Sequence, residues 1–300
     1  MKLVTFAKNG SDRLGALKGS GVLDLVEAYG AVDPAEKSNE KAWLNDAVSF
    51  LRGGEAARGL ASRLLQDAPT RAIPLDSVQL RPPVPNPSKV LCILANSKIR
   101  SDGAKFPVPA EPTFFNKFST CLVPSGGSII IPKISRAVEN EIELALVIGK
   151  EGKYISRENA MDYVAGYSVF NDISFRDLGK VPVVQKGMEP LKDWLRNKSL
   201  DASAPMGPCL ALQDEIRDPQ RLRLTLKVNG EVTQDGSTTE LLWGIPEIIE
   251  AASYGFTLYV GDVISVTCRR LGERRWLKDG DRVEAEIEGI GVLRHGVRAE

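Results

Sequence analysis

The chain has 300 residues, 43% of them apolar, and its 39 Lys and Arg are balanced by 39 Asp and Glu. That length allows a sizeable core, in one large domain or in a small one followed by a larger one. Neutrality argues against a broad nucleic-acid-binding surface, and no apolar run approaches the roughly 18 residues that would suggest a membrane span.

Met1-Lys2-Leu3-Val4-Thr5-Phe6-Ala7-Lys8 reads as a first strand and not as the apolar core of a leader peptide. Lys18-Gly19-Ser20-Gly21 forms a turn between two short strands, the second opening with Val22-Leu23-Asp24-Leu25. Helical patterns follow over about 40–52 and 55–67, so residues 1–75 are predicted to form a small N-terminal α/β domain. Residues 76–87 end in Arg81-Pro82-Pro83-Val84-Pro85-Asn86-Pro87, too rich in proline for regular structure, and read as a linker. From 88 to 300 the chain is strand-rich, with runs at Val90–Leu94, Ser128–Ile131, Leu222–Val228 and Arg282–Glu288 and a hairpin-turn signal at Asn229-Gly230. Helices are predicted there only at Arg157–Tyr163 and Trp243–Tyr254. The fold class is mainly β with some α (α+β), a β-rich core covered by a few helices.

Cys92, Cys121, Cys209 and Cys268 form no CxxC pair. Neither a zinc site nor a disulfide framework is indicated, and reduced thiols fit a cytoplasmic protein. The single histidine, His295, excludes a His-rich metal site. A His-activated nucleophile would depend on that one residue near the end of the sequence.

Glu141 and Glu143 stand one residue apart at the start of Glu141-Ile142-Glu143-Leu144-Ala145-Leu146-Val147-Ile148, which reads as a strand becoming buried towards its end. Alternation puts both carboxylates on one face. Two acids there repel unless a positive charge lies between them, and a hard divalent cation prefers such oxygen ligands. Asp172 supplies a third carboxylate. The same spacing also suits a solvated strand face or pairing with Arg and Lys.

Several motifs in order resemble the fumarylacetoacetate hydrolase family over roughly residues 86–300. Phe115-Asn116-Lys117 resembles its Phe-x-Lys. Asn140-Glu141-Ile142-Glu143-Leu144-Ala145 is similar to its Tyr-Glu-x-Glu-Leu-Ala, with Asn140 in place of the Tyr. Gly166-Tyr167, then Asn171-Asp172-Ile173-Ser174-Phe175-Arg176-Asp177, matches Gly-Tyr-x-x-x-Asn-Asp-x-Ser-x-Arg-Asp. Lys198-Ser199-Leu200-Asp201, Pro205-Met206-Gly207-Pro208, Asn229-Gly230-Glu231, Gln234-Asp235-Gly236, Gly261-Asp262-Val263-Ile264 and Gly289-Ile290-Gly291 complete the series.

The resemblance implies a mixed β-sandwich roll, a homodimer, and Mg²⁺ or Mn²⁺, with Ca²⁺ as a further candidate, held by Glu141, Glu143 and Asp172. It implies a small-molecule 2-oxo or 1,3-dioxo acid as substrate, its carbonyl polarised by the metal. Lys198 matches the lysine that contacts substrate, donating where negative charge grows. Arg176 would organise the acidic site or bind a substrate oxygen. Lys117 joins them as a catalytic candidate.

Two segments depart from the family pattern. Hydrolytic members have Asn-Tyr-x-x-His followed by a Glu three residues on, where this chain has Asn96-Ser97-Lys98-Ile99-Arg100-Ser101-Asp102-Gly103. Arg100 stays charged and cannot act as a base, so Asp102 or a residue from elsewhere would have to replace the missing pair. The family's Thr-Gly-Thr-Pro is replaced by Val266-Thr267-Cys268-Arg269, near which Arg269, Arg270, Arg274 and Arg275 would bind a second carboxylate or phosphate, or form a solvated basic loop.

The family's commonest chemistry predicts C–C bond hydrolysis of a fumarylacetoacetate- or acylpyruvate-like acid. The loss of the histidine points to an alternative set that needs no activated water: decarboxylation, tautomerisation, isomerisation, or (de)hydration of a 2-oxo acid such as a sugar acid. A binding protein without turnover is the third expectation.

Overall fold

A computed structural model describes residues 1–32, 39–98, 109–184, 187–266 and 275–300. The strand Ile142–Ile148 lies at the centre and is buried throughout. It pairs antiparallel with Val164–Asn171 on one side and Val263–Val266 on the other. Among the described residues these belong to a mixed sheet of 12 strands. Val90–Ile93 and Phe114–Lys117 continue it past Val263–Val266. Ala204–Leu212, Lys2–Lys8, Ser11–Lys18 and Gly21–Asp24 continue it the other way. A second sheet of 5 strands runs Glu231–Ser237, Arg223–Val228, Arg282–Ile287, Gly291–Ala299, Ser128–Ile131. The architecture is sheet-dominated α+β, as the alternating patterns predict, and its two facing sheets fit the mixed β-sandwich that the family resemblance implies.

Strand alternation decides what each face holds. Ile142, Leu144, Leu146 and Ile148 enter the core between the two sheets, against Leu224, Leu226, Leu293 and Val297. Ala145 and Val147 point the other way, into a core shared with Phe50, Leu60 and Leu64 of the N-terminal helices. The helix Gly54–Asp67 offers Ala57, Leu60, Ala61 and Leu64 to that core, one apolar stripe at helical spacing. Cover on both faces explains why the central strand is apolar almost throughout. A fully buried Leu or Ile contributes roughly 1.5–3 kcal/mol. A carboxylate at Glu143 forgoes that gain and is costly unless partnered.

The boundary expected at 76–87 falls within this continuous sheet. Lys2 and Leu3 pair with Ala211 and Leu210. The proline-rich stretch is irregular, because proline has no N–H for a ladder. It is nevertheless packed: Pro82, Pro83 and Val84 are buried, and the Pro83 carbonyl accepts from Thr5 Oγ1 at 2.9 Å. Composition here marks a break in regular structure and not in packing. The predicted hairpin turns at Asn229 and Gly230, whose φ values of 54° and 84° suit that pair. Arg157–Tyr163 is a 3₁₀ helix and not α, the tighter form common in short connections. No described helix is long and apolar enough to cross a membrane.

Candidate active site

The acidic residues gather where the central ladder frays. Val138–Glu139 and Ile142–Ile148 are separate strands, with Asn140 and Glu141 in the break between them. Ile142 pairs with Asn171, and the Asp172 N–H donates to the Glu141 carbonyl at 2.8 Å, so Asp172 stands beside Glu141. Glu143 lies between Ile142 and Leu144, which face the inter-sheet core, and therefore points to the opposite face. The Arg176 guanidinium bridges Glu139 and Glu141, with Nη2 2.9 Å from Glu141 Oε2.

Lys198 ends the short helix Trp194–Lys198, which Asp193 caps by accepting from the Arg196 N–H at 2.9 Å. Its Nζ contacts Asp172 Oδ2 and lies 3.3 Å from Glu141 Oε2. It also sits 4.9 Å from the centre of the Phe115 ring, which stacks on Trp194 at 5.8 Å. Burial alone would lower the Lys198 pKa, but Asp172 and Glu141 outweigh it and hold the ammonium above the ordinary lysine range. Lys198 thus stands as a positive charge beside the two carboxylates.

Lys117 lies behind Asp172, with Nζ 3.1 Å from Oδ1. It donates to the carbonyls of Ile173 and Ser203 at 3.0 Å each, and to that of Lys198. Its protons are spent on backbone and its side chain is fully buried. This geometry orients Asp172 and leaves no donor for a substrate.

Four carboxylates, Glu139, Glu141, Glu143 and Asp172, thus face three described cations, Lys117, Arg176 and Lys198. Glu143 carries the excess. Burial and then the Asp172 charge push its carboxyl well up, against the Ser265 hydroxyl that donates to it. Asp172 Oδ1 faces Lys117 without an aligned hydrogen bond. Oxygen-only donors with uncompensated negative charge fit a hard divalent cation. Among the described residues no three acidic, thiol or imidazole groups converge closely enough to hold an ion as they stand. Here Lys198 is the counter-charge between Glu141 and Asp172.

A model of the fumarylacetoacetate hydrolase C-terminal domain matches residues 89–298. The chain belongs to the fumarylacetoacetate hydrolase family. It is 37% identical over 280 residues to mitochondrial oxaloacetate tautomerase FAHD2A of Bos taurus, covering 92% of this chain and 83% of that protein. It is 35% identical over 306 residues to mitochondrial oxaloacetate tautomerase fahd2 of Xenopus laevis, covering 99% and 90%. The structure of maleylpyruvate hydrolase from Sphingobium sp. SYK-6 with manganese(II) and pyruvate superposes with a TM-score of 0.77, at 28% identity, covering 100% and 99%. A 5-carboxymethyl-2-hydroxymuconate delta-isomerase from Mycobacterium smegmatis gives 0.72 at 26% identity, covering 100% of both chains. These fumarylacetoacetate hydrolase relatives are enzymes acting on oxo acids.

The structure brings together five of the residues expected from the family motifs around Asp172: Glu141, Glu143, Arg176, Lys198 and Lys117. Asp102 lies outside the described residues, with Arg100, Gly103, Cys268, Arg269, Arg270 and Arg274. Arg275 is described, and its Nη1 pairs with Glu231 Oε2 at 2.8 Å. Sequence reasoning missed Glu139, though it extends the same alternation as Glu141 and Glu143. It also missed Ser265, which reaches Glu143 from a strand 122 residues away, a contact no local pattern shows. Cys92 lies nearby and is buried, its thiol pushed well up by burial and then by the Asp172 and Glu143 charges.

Proposed function

We propose that this protein is a divalent-metal-dependent tautomerase of a short 2-oxo diacid such as oxaloacetate. The observation that carries the reading is the placement of its only histidine. His295 is buried, with Nε2 2.8 Å from Asn171 Nδ2 and Nδ1 3.0 Å from the Gly296 carbonyl. Both ring nitrogens are engaged, so no histidine is available to activate water. Enol–keto exchange needs none. The enol oxygen gives up its proton, the neighbouring carbon gains one, and no water is consumed. The oxaloacetate tautomerase relatives support the same reading.

Glu141, Glu143 and Asp172 would hold Mg²⁺ or Mn²⁺. The bound ion would polarise the 2-oxo group as a Lewis acid. Lys198, charged and buried beside them, would donate to the oxygen on which negative charge grows as the enol loses its proton. The Phe115 ring, 4.9 Å away, flanks that ammonium on one side. Arg176 fixes Glu139 and Glu141, and Lys117 fixes Asp172, so both act as positioning residues.

C–C hydrolysis of an acylpyruvate-like acid is the second reading, favoured by the likeness to maleylpyruvate hydrolase. It requires a base other than histidine. Enol absorbance of oxaloacetate, followed with Mn²⁺ and with EDTA, separates the two readings. Metal-dependent loss of the enol signal with conserved mass supports the tautomerase. Metal-dependent cleavage of acylpyruvates, with oxaloacetate exchange left at its uncatalysed rate, replaces it by the hydrolase.

A further inference from the structure

The break between Val138–Glu139 and Ile142–Ile148 poses an accounting problem. Buried backbone N–H and C=O groups need partners. Between Asn140 and Ile142 the neighbouring strand supplies only one backbone partner, the Asp172 N–H, yet the four groups across the break are all paired. The Asn140 carbonyl accepts from Gln234 Nε2 at 2.7 Å, and the Ile142 N–H donates to Gln234 Oε1 at 3.0 Å. The Glu141 N–H donates to Asn171 Oδ1 at 3.0 Å, and the Glu141 carbonyl accepts from the Asp172 N–H. One amide thus spans Glu141 from either side, and a second holds its N–H.

Both amides are set from the five-stranded sheet. Gln234 belongs to Glu231–Ser237 and is 3% exposed. His295 belongs to Gly291–Ala299 and is equally buried. The Gly296 carbonyl can only accept, so His295 Nδ1 carries the proton and Nε2 is the acceptor. Asn171 must then present Nδ2 to His295, which turns its Oδ1 towards the Glu141 N–H. Alternation separates the two roles. Glu143 points to the face away from the inter-sheet core, where Glu141 and Asp172 meet Lys198, while Ile142 and Asn171 point into that core.

We infer that Gln234 and His295 are positioning residues through which the second sheet fixes Glu141 in its carboxylate cluster. His295 acts through Asn171, and Gln234 acts on the backbone directly. The inference rests on Glu141 being a metal ligand. Loss of such outer partners typically weakens metal binding about 10- to 100-fold.

The test is Mn²⁺ affinity of the whole 300-residue chain, by calorimetry or electron paramagnetic resonance, alongside thermal unfolding. His295→Leu removes the acceptor and His295→Gln restores one at the reach of Nε2. Gln234→Met removes the second clamp at similar volume. Expected are losses of about tenfold or more for H295L and Q234M, and a change of less than about threefold for H295Q. Folded H295L and Q234M that bind Mn²⁺ like the wild type overturn the inference. Glu141→Ala separates this from failure of the metal reading: if it binds Mn²⁺ normally, that reading has failed, whatever the other variants show. Should H295L and Q234M not fold, amide exchange of wild-type Glu141 decides. Protection matching that of Leu144 is expected, and loop-like exchange overturns the inference.

Discussion

Lys117 and Asp172 form an ion pair sealed from solvent, with Nζ 3.1 Å from Oδ1 and side-chain exposures of 0% and 1%. Lys198 meets the same carboxylate from the other side, so Asp172 lies between two ammonium groups that have different neighbours. Lys117 is anchored by the carbonyls of Ile173, Lys198 and Ser203, whereas Lys198 adjoins Glu141 and Phe115. The proposed roles follow this difference: Lys117 would support the folding of the site and Lys198 would act on the substrate.

Replacing Lys117 by Met should therefore act on stability. It leaves a buried carboxylate and three carbonyls short of a donor, a defect that costs about 3–5 kcal/mol. Urea unfolding of K117M against wild type measures it. A loss below about 1 kcal/mol would show that Asp172 does not depend on this pair.

Lys198→Met should act on turnover. Removing one donor to a developing oxyanion typically lowers kcat by about 10²–10³. The expected result is a loss of that size in metal-dependent oxaloacetate exchange, with Mn²⁺ affinity unchanged or tighter, because a cation competing for Asp172 and Glu141 has gone. Wild-type kcat in K198M would remove Lys198 from the mechanism.

Glu143 must be ionised to act as a ligand, and burial beside Asp172 opposes that. A bound cation favours the ionised form, so metal binding should release protons and strengthen as pH rises. Calorimetry of Mn²⁺ binding in buffers of different ionisation enthalpy reads the proton count. Glu143→Gln should abolish the release and weaken binding, and EDTA treatment of the wild type should abolish exchange activity. Unchanged affinity in E143Q would exclude Glu143 from the ligand set.

His295 predicts a pH dependence of stability. Burial lowers its pKa from 6.5 to about 4, against the Gly296 carbonyl that raises it. Between those values the unfolded chain binds the proton and the folded chain does not. Stability is therefore full above about 6.5 and falls as the pH drops towards about 4. At 1.36 kcal/mol per pH unit the difference is of order 3 kcal/mol. The difference in unfolding free energy between wild type and H295Q should shift by that amount in favour of H295Q as the pH falls through that window, the carboxylate contributions cancelling. A constant difference from pH 7 to 4 would show that His295 titrates alike in the folded and unfolded chain.

Much of this was legible in the sequence. The strands at Val90, Ser128, Arg223 and Arg282 announce themselves by alternation or β-branched runs, and Asn229-Gly230 by its turn chemistry. The carboxylates showed because strand spacing and ligand geometry share a period of two. The roles of Lys117 and His295 were not legible. Lys117 reads as a catalytic candidate until its three carbonyl partners are seen, and these come from Ile173, Lys198 and Ser203, distant in sequence. His295 reads as a tail residue until the Gly291–Ala299 strand carries it under Asn171. The proline-rich stretch marked a domain boundary by composition, but packing against Thr5 is a tertiary fact that composition does not encode.

The pairing of Lys2–Lys8 with Ala204–Leu212 has a practical corollary for dividing the chain. The Leu212 N–H donates to the Met1 carbonyl at 2.9 Å, and Leu3 lies opposite Leu210. A fragment starting at the proline-rich stretch would bare that margin of the large sheet and strip the helical cover from Ala145, Val147 and Leu210. Unpaired strand margins with apolar faces recruit other chains. The family-matched portion alone should therefore precipitate or self-associate, and co-expression with residues 1–75 as a separate peptide should restore its solubility.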